Sequence, residues 1–392
     1  MHMVSRLRRA PALLIGLAAA ALVLGAGAAA AAPRVAPAAG IWTIQRTPNR
    51  SQDFNQLTAI STNSATDAWA VGTFRGPSSS AFKTLIEHFD GTAWRAVQSP
   101  NVGTSYNELN GVAADSSTDA WAVGFEVAGS ADRTLVERWN GARWSVVGSP
   151  NVGLGSNDLR GVAAISPTDV WAVGQSVDVN PSPLAEHWDG TAWTVVPTPT
   201  PPGGGTLSSV AAVSSNDVWA VGAVGDGDDA ALAEHWNGSV WSIVATPAIL
   251  GDALFSSVTA ITASDVWAVG SQGSTTLTEH WNGSAWSIVA SPNPLPTSKG
   301  NNFLTGVTAL SSTDVWAVGS TLDFTLGELE QTVTLHWDGA VWNVVSSPNQ
   351  GTGSNLLLGV DSPGAGVVFA AGTFRQGFAG PNRTLVMETT QG

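Results

Sequence analysis

One short motif recurs along this chain at intervals of about 50 residues and constrains its fold more than any other feature. The motif is Asp-x-Trp-Ala-Val-Gly, and its tryptophan returns at steps of 52, 50, 48, 48 and 49 residues. A last step of 53 residues leads to a seventh copy, in which Phe369 fills the tryptophan slot. A repeat of this length is one supersecondary unit that buries its core against its neighbours. We therefore expect one repeat domain rather than the two or three domains that 392 residues would otherwise suggest.

Each unit carries the pattern of four short strands, which we name a to d. Strand a holds an apolar anchor twelve residues before the tryptophan slot, such as Leu159, and a β-branched residue three positions later, such as Val162. The second half of the unit reads Glu-His-Trp-(Asp/Asn)-Gly-x-x-Trp, and Asp-Gly or Asn-Gly between apolar runs predicts a hairpin of strands c and d. All 18 tryptophans occupy repeat slots, six on strand b, five on strand c and seven on strand d. These large apolar rings form the predicted core.

Four strands at this period are typical of a propeller blade, and the details resemble the kelch repeat. The resemblance comes from the aromatic residue and glycine of strand b and from a Trp-x-x-Val strand that closes in Ser-Pro-Asn, and it covers nearly all of residues 41–391. Kelch repeats usually carry a double glycine where this chain has Gly174-Gln175 or Gly270-Ser271, so we describe the repeat as kelch-like. It is also similar to tandem repeats of unassigned role in exported bacterial proteins.

The two ends of the chain together supply one complete blade. The seventh copy stops at a strand c, residues 384–386, without its strand-d tryptophan. The missing strand is found at the other end, where Trp42-Thr43-Ile44 leads into Thr47-Pro48-Asn49. Pairing these two strands removes the open edges of the sheet. The sequence thus predicts an all-β, seven-bladed β-propeller over residues 41–391, whose last four-stranded blade is closed by an N-terminal strand.

Residues 1–32 have the pattern of a secretory signal peptide. Arg6, Arg8 and Arg9 precede an uncharged run rich in alanine and leucine, and small-residue cleavage sites extend as late as residue 38. We expect a secreted or extracellular protein; an uncleaved anchor, which would hold the protein at the cell surface, is the alternative. Only an uncleaved anchor would bring the chain into contact with a membrane.

Composition excludes several classes of function. The chain has no cysteine, so disulfides, thiolate metal sites and cysteine nucleophiles are excluded. A net charge of −14 and a pI near 4.6 argue against nucleic acid as a partner. We expect a monomer that requires no cofactor.

Loop lengths indicate which face of the propeller recognises a ligand. The anchor-to-tryptophan interval is always 12 residues and the strand-c to strand-d interval is always 5, whereas the b-to-c interval runs from 14 to 21 residues in the first six blades. The b–c and d–a loops emerge on the same face of an up-and-down blade. Variable loops on a rigid scaffold are where recognition usually occurs. We refer to this side as the variable face.

Basic residues are concentrated in blades 7, 1 and 2. Residues 161–356 contain 17 acidic residues and only one basic residue, Lys299. In blades 7 and 1, strand b ends in the same sequence, Gly-Thr-Phe-Arg, at residues 372–375 and 72–75. Guanidinium and aromatic groups together suit carboxylate ligands. The predicted ligand-binding residues are Arg75, Arg375, Phe74, Phe374, Lys83, Arg133 and Arg383. The alternative is a pair of duplicated loops with solvated arginines.

Five histidines are predicted to be structural rather than metal ligands, because each lies in the same slot of a different blade. They are His88, His187, His235, His280 and His336. Strand geometry places Asp169 beside His187, and in blade 2 it places Asp119 beside Arg138. An acidic loop at 225–229 resembles a calcium loop, but it lacks a third regularly spaced ligand and is better explained as a solvated loop. We therefore expect no metal site.

These observations predict a non-enzymatic extracellular recognition propeller that binds a protein or polysaccharide of the cell envelope or its surroundings. One alternative is a glycan-active hydrolase or lyase with Glu108, Asp158 and Arg160 at the channel mouth. Residues 74–77, Phe-Arg-Gly-Pro, are similar to a sialidase motif, although they lie in a b–c loop. A second alternative is a structural surface protein in which the ring is a spacer.

Overall fold

A computed structural model describes residues 40–390 of the protein, except for 78, 80, 103–104, 226–229 and 250. The predicted signal segment and residues 226–229 of the acidic loop lie outside the described residues. The described strands form seven antiparallel sheets of four strands each, and the inner strand of every sheet lines one central channel. The chain is thus a seven-bladed β-propeller, as predicted.

The blades follow one another along the chain, with strands a to d in order from the channel outward. Blades 1 and 2 comprise β2 (Phe54–Ser64), β3 (Asp67–Arg75), β4 (Phe82–Phe89), β5 (Trp94–Val97), β6 (Asn107–Ser116), β7 (Asp119–Ala128), β8 (Ala131–Trp139) and β9 (Trp144–Val146). Blades 3 and 4 comprise β10 (Ser156–Ser166), β11 (Asp169–Val177), β12 (Pro181–Trp188), β13 (Trp193–Val195), β14 (Gly205–Ser214), β15 (Asp217–Val224), β16 (Ala230–Trp236) and β17 (Trp241–Ile243).

Blades 5 and 6 comprise β18 (Ala253–Thr262), β19 (Asp265–Gln272), β20 (Thr275–Trp281), β21 (Trp286–Ile288), β22 (Gly300–Ser311), β23 (Asp314–Asp323), β24 (Leu329–Trp337) and β25 (Trp342–Val345). Blade 7 comprises β26 (Asn355–Gly364), β27 (Val367–Arg375), β28 (Asn382–Thr390) and the N-terminal strand β1 (Thr43–Gln45). One 3-10 turn, Phe324–Leu326, interrupts the b–c loop of blade 6. None of the described residues forms a helix long and apolar enough to cross a membrane.

The N-terminal strand closes the ring at blade 7. In the antiparallel register of β1 and β28, Thr43 lies opposite Glu388 and Ile44 lies opposite Met387. Beyond the strand, the hydroxyls of Thr47 and Thr384 are 2.8 Å apart. These bonds join residues more than 330 positions apart in sequence, so the predicted closure of blade 7 is confirmed.

The core lies between blades and is built from tryptophans of two neighbours. Trp69 of β3 is 1% exposed, and its ring meets Trp144 of blade 2 edge-on at 5.1 Å and Trp139 at 5.0 Å. Edge-on packing of this kind is the favoured geometry of aromatic pairs. The last boundary is completed by the N-terminal strand, because Trp42 meets Trp316 edge-on at 5.6 Å. The tryptophan spacing in the sequence therefore corresponds to contacts between blades.

The glycine that ends each Trp-Ala-Val-Gly string is required by a β-bulge in strand a. In blade 1 the register shifts between Leu57 and Ala59, and a Cβ at Gly72 would overlap the carbonyl oxygen of Gln56. The same shift and the same overlap recur at the corresponding glycine of every other blade. The absence of a side chain lets strands a and b approach at the bulge.

Loop lengths differ sharply between the two faces. Every a–b turn has two residues and the six c–d turns have four each, whereas b–c loops range from two to six residues and d–a loops from eight to eleven. The tight c–d turns are fixed locally: Asp90 accepts hydrogen bonds from the backbone of Thr92 and Ala93, and Gly91 has a φ of 83°. All variation in length consequently falls on the variable face.

Candidate ligand-binding face

Four partly exposed aromatic rings form a continuous cluster on the variable face where blades 1 and 2 meet. Tyr106 stands at the start of strand a of blade 2, 4.5 Å from Phe82 and stacked on Phe125 at 5.5 Å, and Phe82 meets Phe54 at 5.4 Å. The guanidinium of Arg75 lies over the Phe82 ring at 4.9 Å. Residues of both blades therefore present one surface, which we call the aromatic cluster, with a cation over one of its rings.

A carboxyl group also contacts the aromatic cluster, at Tyr106. The hydroxyl of Tyr106 donates a hydrogen bond to Glu108 at 2.7 Å. Burial raises the pKa of Glu108, although the tyrosine bond opposes that shift, and burial together with this bond raises the pKa of Tyr106. Glu108 was predicted to lie at the channel mouth, and its Tyr106 contact was not foreseen.

The predicted cationic residues of blades 7, 1 and 2 contact different parts of the variable face. Arg75 forms an ion pair with Asp53 of its own blade at 2.9 Å. Arg375 donates to the side chain of Asn382 at 2.8 Å, and Arg383 donates to the backbone oxygen of Ser51 at 2.7 Å. The three arginines thus bond to different partners, and Arg375 and Arg383 both belong to blade 7.

Lys83 and Arg133 occupy the same slot as Arg383 in blades 1 and 2. Lys83 is exposed at the start of β4, opposite Phe74 in the strand register. Arg133 reaches the backbone oxygen of Gly155, at the entry to blade 3, at 3.5 Å.

The two Gly-Thr-Phe-Arg segments place phenylalanine and arginine on opposite sides of the blade. Phe374 is 5% exposed and packs in the core between blades 6 and 7 with Trp316 and Leu357. Phe74 is partly buried against the equivalent core between blades 7 and 1. Consecutive residues of a strand point to opposite faces, so each arginine points away from the core against which its phenylalanine packs. Phe374 is therefore a core residue and not a ligand contact, which corrects the expectation from the sequence.

The short-turn face carries an Asp–His pair in five blades. In blade 3 the Nε2 atom of His187 lies 2.8 Å from the carboxylate of Asp169. The other pairs are His88–Asp67 at 2.7 Å, His235–Asp217 at 2.8 Å, His280–Asp265 at 2.8 Å and His336–Asp314 at 2.9 Å. Each pair joins strand b to strand c within one blade and is partly shielded from solvent.

Blade 2 replaces the histidine with an arginine that keeps the same partner. Arg138 donates to both carboxylate oxygens of Asp119, at 2.7 and 3.0 Å. Its guanidinium also lies 4.7 Å from the Trp121 ring centroid and 5.8 Å from that of Trp188. Among the described residues, no group of three or more His, Cys, Asp or Glu side chains has the geometry of a metal site.

The polar side chains of the central channel mostly connect one blade to the next. The channel has a volume of about 290 Å3. Thr58 donates to the backbone oxygen of Leu109 at 2.6 Å, Asn110 donates to that of Leu159 at 2.9 Å, and Thr305 donates to that of Leu357 at 2.7 Å. Asp361 accepts two bonds from Thr62, one from its backbone N–H and one from its hydroxyl. These groups stabilise the ring, and a polar channel does not by itself indicate a ligand.

A glutamate is completely buried in each of blades 1 to 5, a feature to which the sequence patterns assigned no role. Glu87, Glu137, Glu186, Glu234 and Glu279 are all 0% exposed. Of these five carboxyl groups, only that of Glu137 has a hydrogen-bond partner among the described residues, which is the hydroxyl of Ser99.

Burial raises the pKa of these carboxyl groups by disfavouring their charged form. The pKa reaches about 8 in Glu137, Glu186 and Glu234 and about 7 in Glu279, and it lies well above the usual value in Glu87. The same slot holds Leu335 in blade 6 and Met387 in blade 7. The leucine and methionine in this slot were the signal in the sequence that its side chain is uncharged.

Comparison with known proteins identifies the fold class. No protein-family profile matches the chain, and no curated protein matches its sequence. The structure is similar to YCF48 bound to a D1 peptide, with 12% identity over 90% of this chain and 97% of that one and a TM-score of 0.56. It is also similar to YCF48 from Cyanidioschyzon merolae, with 16% identity, 90% and 98% coverage and a TM-score of 0.54. A third similar structure is that of the RRP9 WD40 repeats, with 9% identity, 91% and 99% coverage and a TM-score of 0.58. At these identities the likeness shows the fold: the chain is a β-propeller repeat protein.

Proposed function

We propose that this protein is an exported, non-enzymatic recognition propeller that binds a protein segment across the variable face of blades 7, 1 and 2. The aromatic cluster is the observation that carries the proposal. Phe82, Tyr106 and Phe125 are partly exposed, contact one another and lie beside the guanidinium of Arg75. Aromatic and arginine side chains held in this way are typical of protein interfaces.

The fold supports a binding role. YCF48, whose structure is similar, has been captured with a D1 peptide, so a scaffold of this shape can bind a peptide. A protein ligand fits the site better than a polysaccharide. Phe82 packs edge-on against Phe54 and tilted against Tyr106, and the stacked rings of Tyr106 and Phe125 cover one face of each other, so the cluster forms no broad flat platform for a sugar.

Export is proposed from the sequence of residues 1–32, with its basic start and uncharged alanine-rich run. The partner would then be a protein of the cell envelope or its surroundings, met by the propeller as a monomer. The kelch-like classification of the repeat is likewise a proposal, since it depends on strand motifs alone.

The experiment measures binding of the purified propeller to cell-envelope fractions of the producing organism, before and after protease treatment of those fractions. Tyr106→Ala and Phe82→Ala should each weaken binding. Phe324→Ala is the matched control, because Phe324 is a 54% exposed aromatic on the same face but lies in blade 6. Binding that survives protease treatment, or that is lost equally in the control, would contradict recognition of a protein by the aromatic cluster. Thermal unfolding of each variant separates loss of binding from loss of fold.

A hydrolase remains as a second candidate, favoured by carboxyl groups near the starts of β6 and β10. Glu108 has a raised pKa, and in the adjacent blade Asp158 forms an ion pair with Arg160 at 2.8 Å and accepts a bond from Gln175 at 2.7 Å. Two carboxyl groups in different environments are the usual equipment of a glycosidase. Release of reducing sugar from envelope polysaccharide, abolished by Glu108→Gln, would favour this alternative and refute the binding proposal.

A further inference from the structure

A second feature of the variable face lies one blade boundary away from the aromatic cluster. A groove of about 600 Å3 opens between blades 7 and 1, next to the point at which the ring closes. Its walls include Arg50, Ser51, Phe74, Pro77 and Arg383. We call it the seam groove.

The two arginines of the seam groove are held in place by backbone oxygens. Arg383 donates from Nη1 to Ser51 at 2.7 Å and from Nη2 to Gln52 at 3.3 Å. Arg50 donates from Nη2 to the backbone oxygen of Val97 at 2.8 Å. A guanidinium has five N–H donors, so both side chains retain donors for a ligand while their positions are fixed.

Neither arginine is neutralised by a carboxylate among the described residues. The arginine ion pairs there are those of Arg75, Arg95, Arg138 and Arg160. The carboxyl group that senses Arg50 is Glu87, whose burial keeps its pKa well above the usual value despite the opposing effect of the arginine. Burial therefore disfavours the charged form of Glu87, which is the form that would compensate the positive charge of Arg50.

Comparison between repeats shows that this pair of cations is peculiar to the seam. The slot of Arg50 holds apolar residues or glutamine in the other blades: Val102, Val152, Pro201, Ile249, Pro294 and Gln350. The slot of Arg383 is basic only in blades 7, 1 and 2. Only the boundary between blades 7 and 1 therefore combines both arginines, in a chain whose net charge is −14.

We propose that the seam groove binds an aspartate or glutamate side chain of the protein segment recognised by this face. The proposal rests on the function proposed above and adds the chemical class of the ligand. Two guanidinium groups can together hold one carboxylate through charge-assisted bonds, while Phe74 and Pro77 contact the aliphatic part of the residue. The Phe74 ring is partly buried against the core between blades 7 and 1, so it offers the groove only part of its surface for stacking of a uronic acid.

The test uses a fluorescein-labelled decapeptide of alternating glutamate and alanine, with the glutamine analogue as its control. The protein should bind the glutamate peptide, and Arg50→Gln should weaken binding about tenfold, because a charge-assisted contact is lost. Arg50→Lys should retain part of the affinity. Arg143→Gln removes the same charge from an exposed turn of blade 2 on the opposite face and should leave binding unchanged. Arg383→Gln is a second variant, with thermal unfolding as its check.

Four outcomes would overturn the proposal. One is equal binding of the two peptides, and another is an equal effect of Arg50→Gln and Arg143→Gln, which would show long-range attraction only. The third is that the protein binds oligogalacturonate in an Arg50-dependent way and does not bind the peptide, which would identify a uronate site. Loss of envelope binding in Tyr106→Ala but not in Arg50→Gln would leave the recognition function standing and refute the seam groove alone.

Discussion

The buried glutamates predict that this propeller becomes less stable as pH rises through neutrality. Glu186 is the simplest case, because burial is the only cause of its raised pKa and both of its oxygens lack a hydrogen-bond partner among the described residues. It shares a face of β12 with Leu184 and Trp188, which pack against Trp121 of blade 2. The perturbation that tests the idea is Glu186→Leu, which copies the residue of blade 6, Leu335, into blade 3.

The size of the effect follows from the two pKa values. The folded state holds the Glu186 proton up to a pKa of about 8, whereas an unfolded chain releases it near the ordinary value of 4.5. Below pH 4.5 both states are protonated and the group has no effect on stability. Between these values the unfolded state loses the proton first, so the free energy of unfolding falls with pH. The loss is about 3 kcal/mol at pH 7 and about 4 kcal/mol at pH 8 for this one group.

The assay is thermal unfolding of wild type and variant from pH 5 to pH 8.5, followed by tryptophan fluorescence. We expect Glu186→Leu to unfold at a temperature close to that of wild type at pH 5 and several degrees above it at pH 8. Leu335→Glu provides the reverse test, because it places a carboxyl group in the same slot of blade 6 and should steepen the pH dependence. Glu186→Gln keeps the shape without the charge and should behave as the leucine variant does. A constant difference between Glu186→Leu and wild type across this pH range would refute the reasoning.

Three further predictions concern closure of the ring and the short-turn face. Deleting residues 41–48 strips blade 7 of its outer strand, so we expect aggregation or a large fall in melting temperature, and a chain carrying the same segment after residue 390 should recover; an unchanged melting temperature after the deletion would contradict the closure. Asp169→Ala should cost about 1–3 kcal/mol in urea unfolding because His187 loses its partner, and the double variant with His187→Ala should cost little more; strictly additive costs would show that the two side chains do not interact. Arg138→His, which installs the residue of the other Asp–His blades, should keep the bond to Asp119 and lower stability only modestly, through the lost contact with Trp121; a crystal structure of the variant would check the bond.

The fold was predictable because its determinants are local and repeated. The spacing of the tryptophans, the Asp-Gly turns and the displaced Trp42 strand each point to one blade geometry, and the structure satisfies all three together. Because every copy of the repeat tests the same inference, the fold of a repeat protein is easier to predict than its binding site.

The variable face was harder to predict because its contacts cross from one blade to another. Alternation along β27 was sufficient to place Phe374 in the core, since Val368 and Ala370 on the same face are buried. In contrast, the contacts of Arg383 with Ser51 and Gln52 depend on the path of the long d–a loop, which no repeat pattern specifies. The buried glutamates were missed for another reason, because the sequence patterns assigned no role to the glutamate of the Glu-His-Trp motif.

The pairing of β1 with β28 also has a consequence for the order of events during synthesis. β1 is the first described strand to leave the ribosome, and its partner β28 is the last, so the first strand must wait for nearly the whole chain before it has a neighbour. Blades 1 to 6 contain only consecutive strands and can form as they emerge, whereas Trp316 stays uncovered until Trp42 arrives. Since the cost of closing a loop grows only slowly with its length, the long wait affects timing far more than final stability. Until β1 pairs with β28, blade 7 keeps one exposed sheet edge, and the interval before ring closure is when the protein most needs protection from other chains.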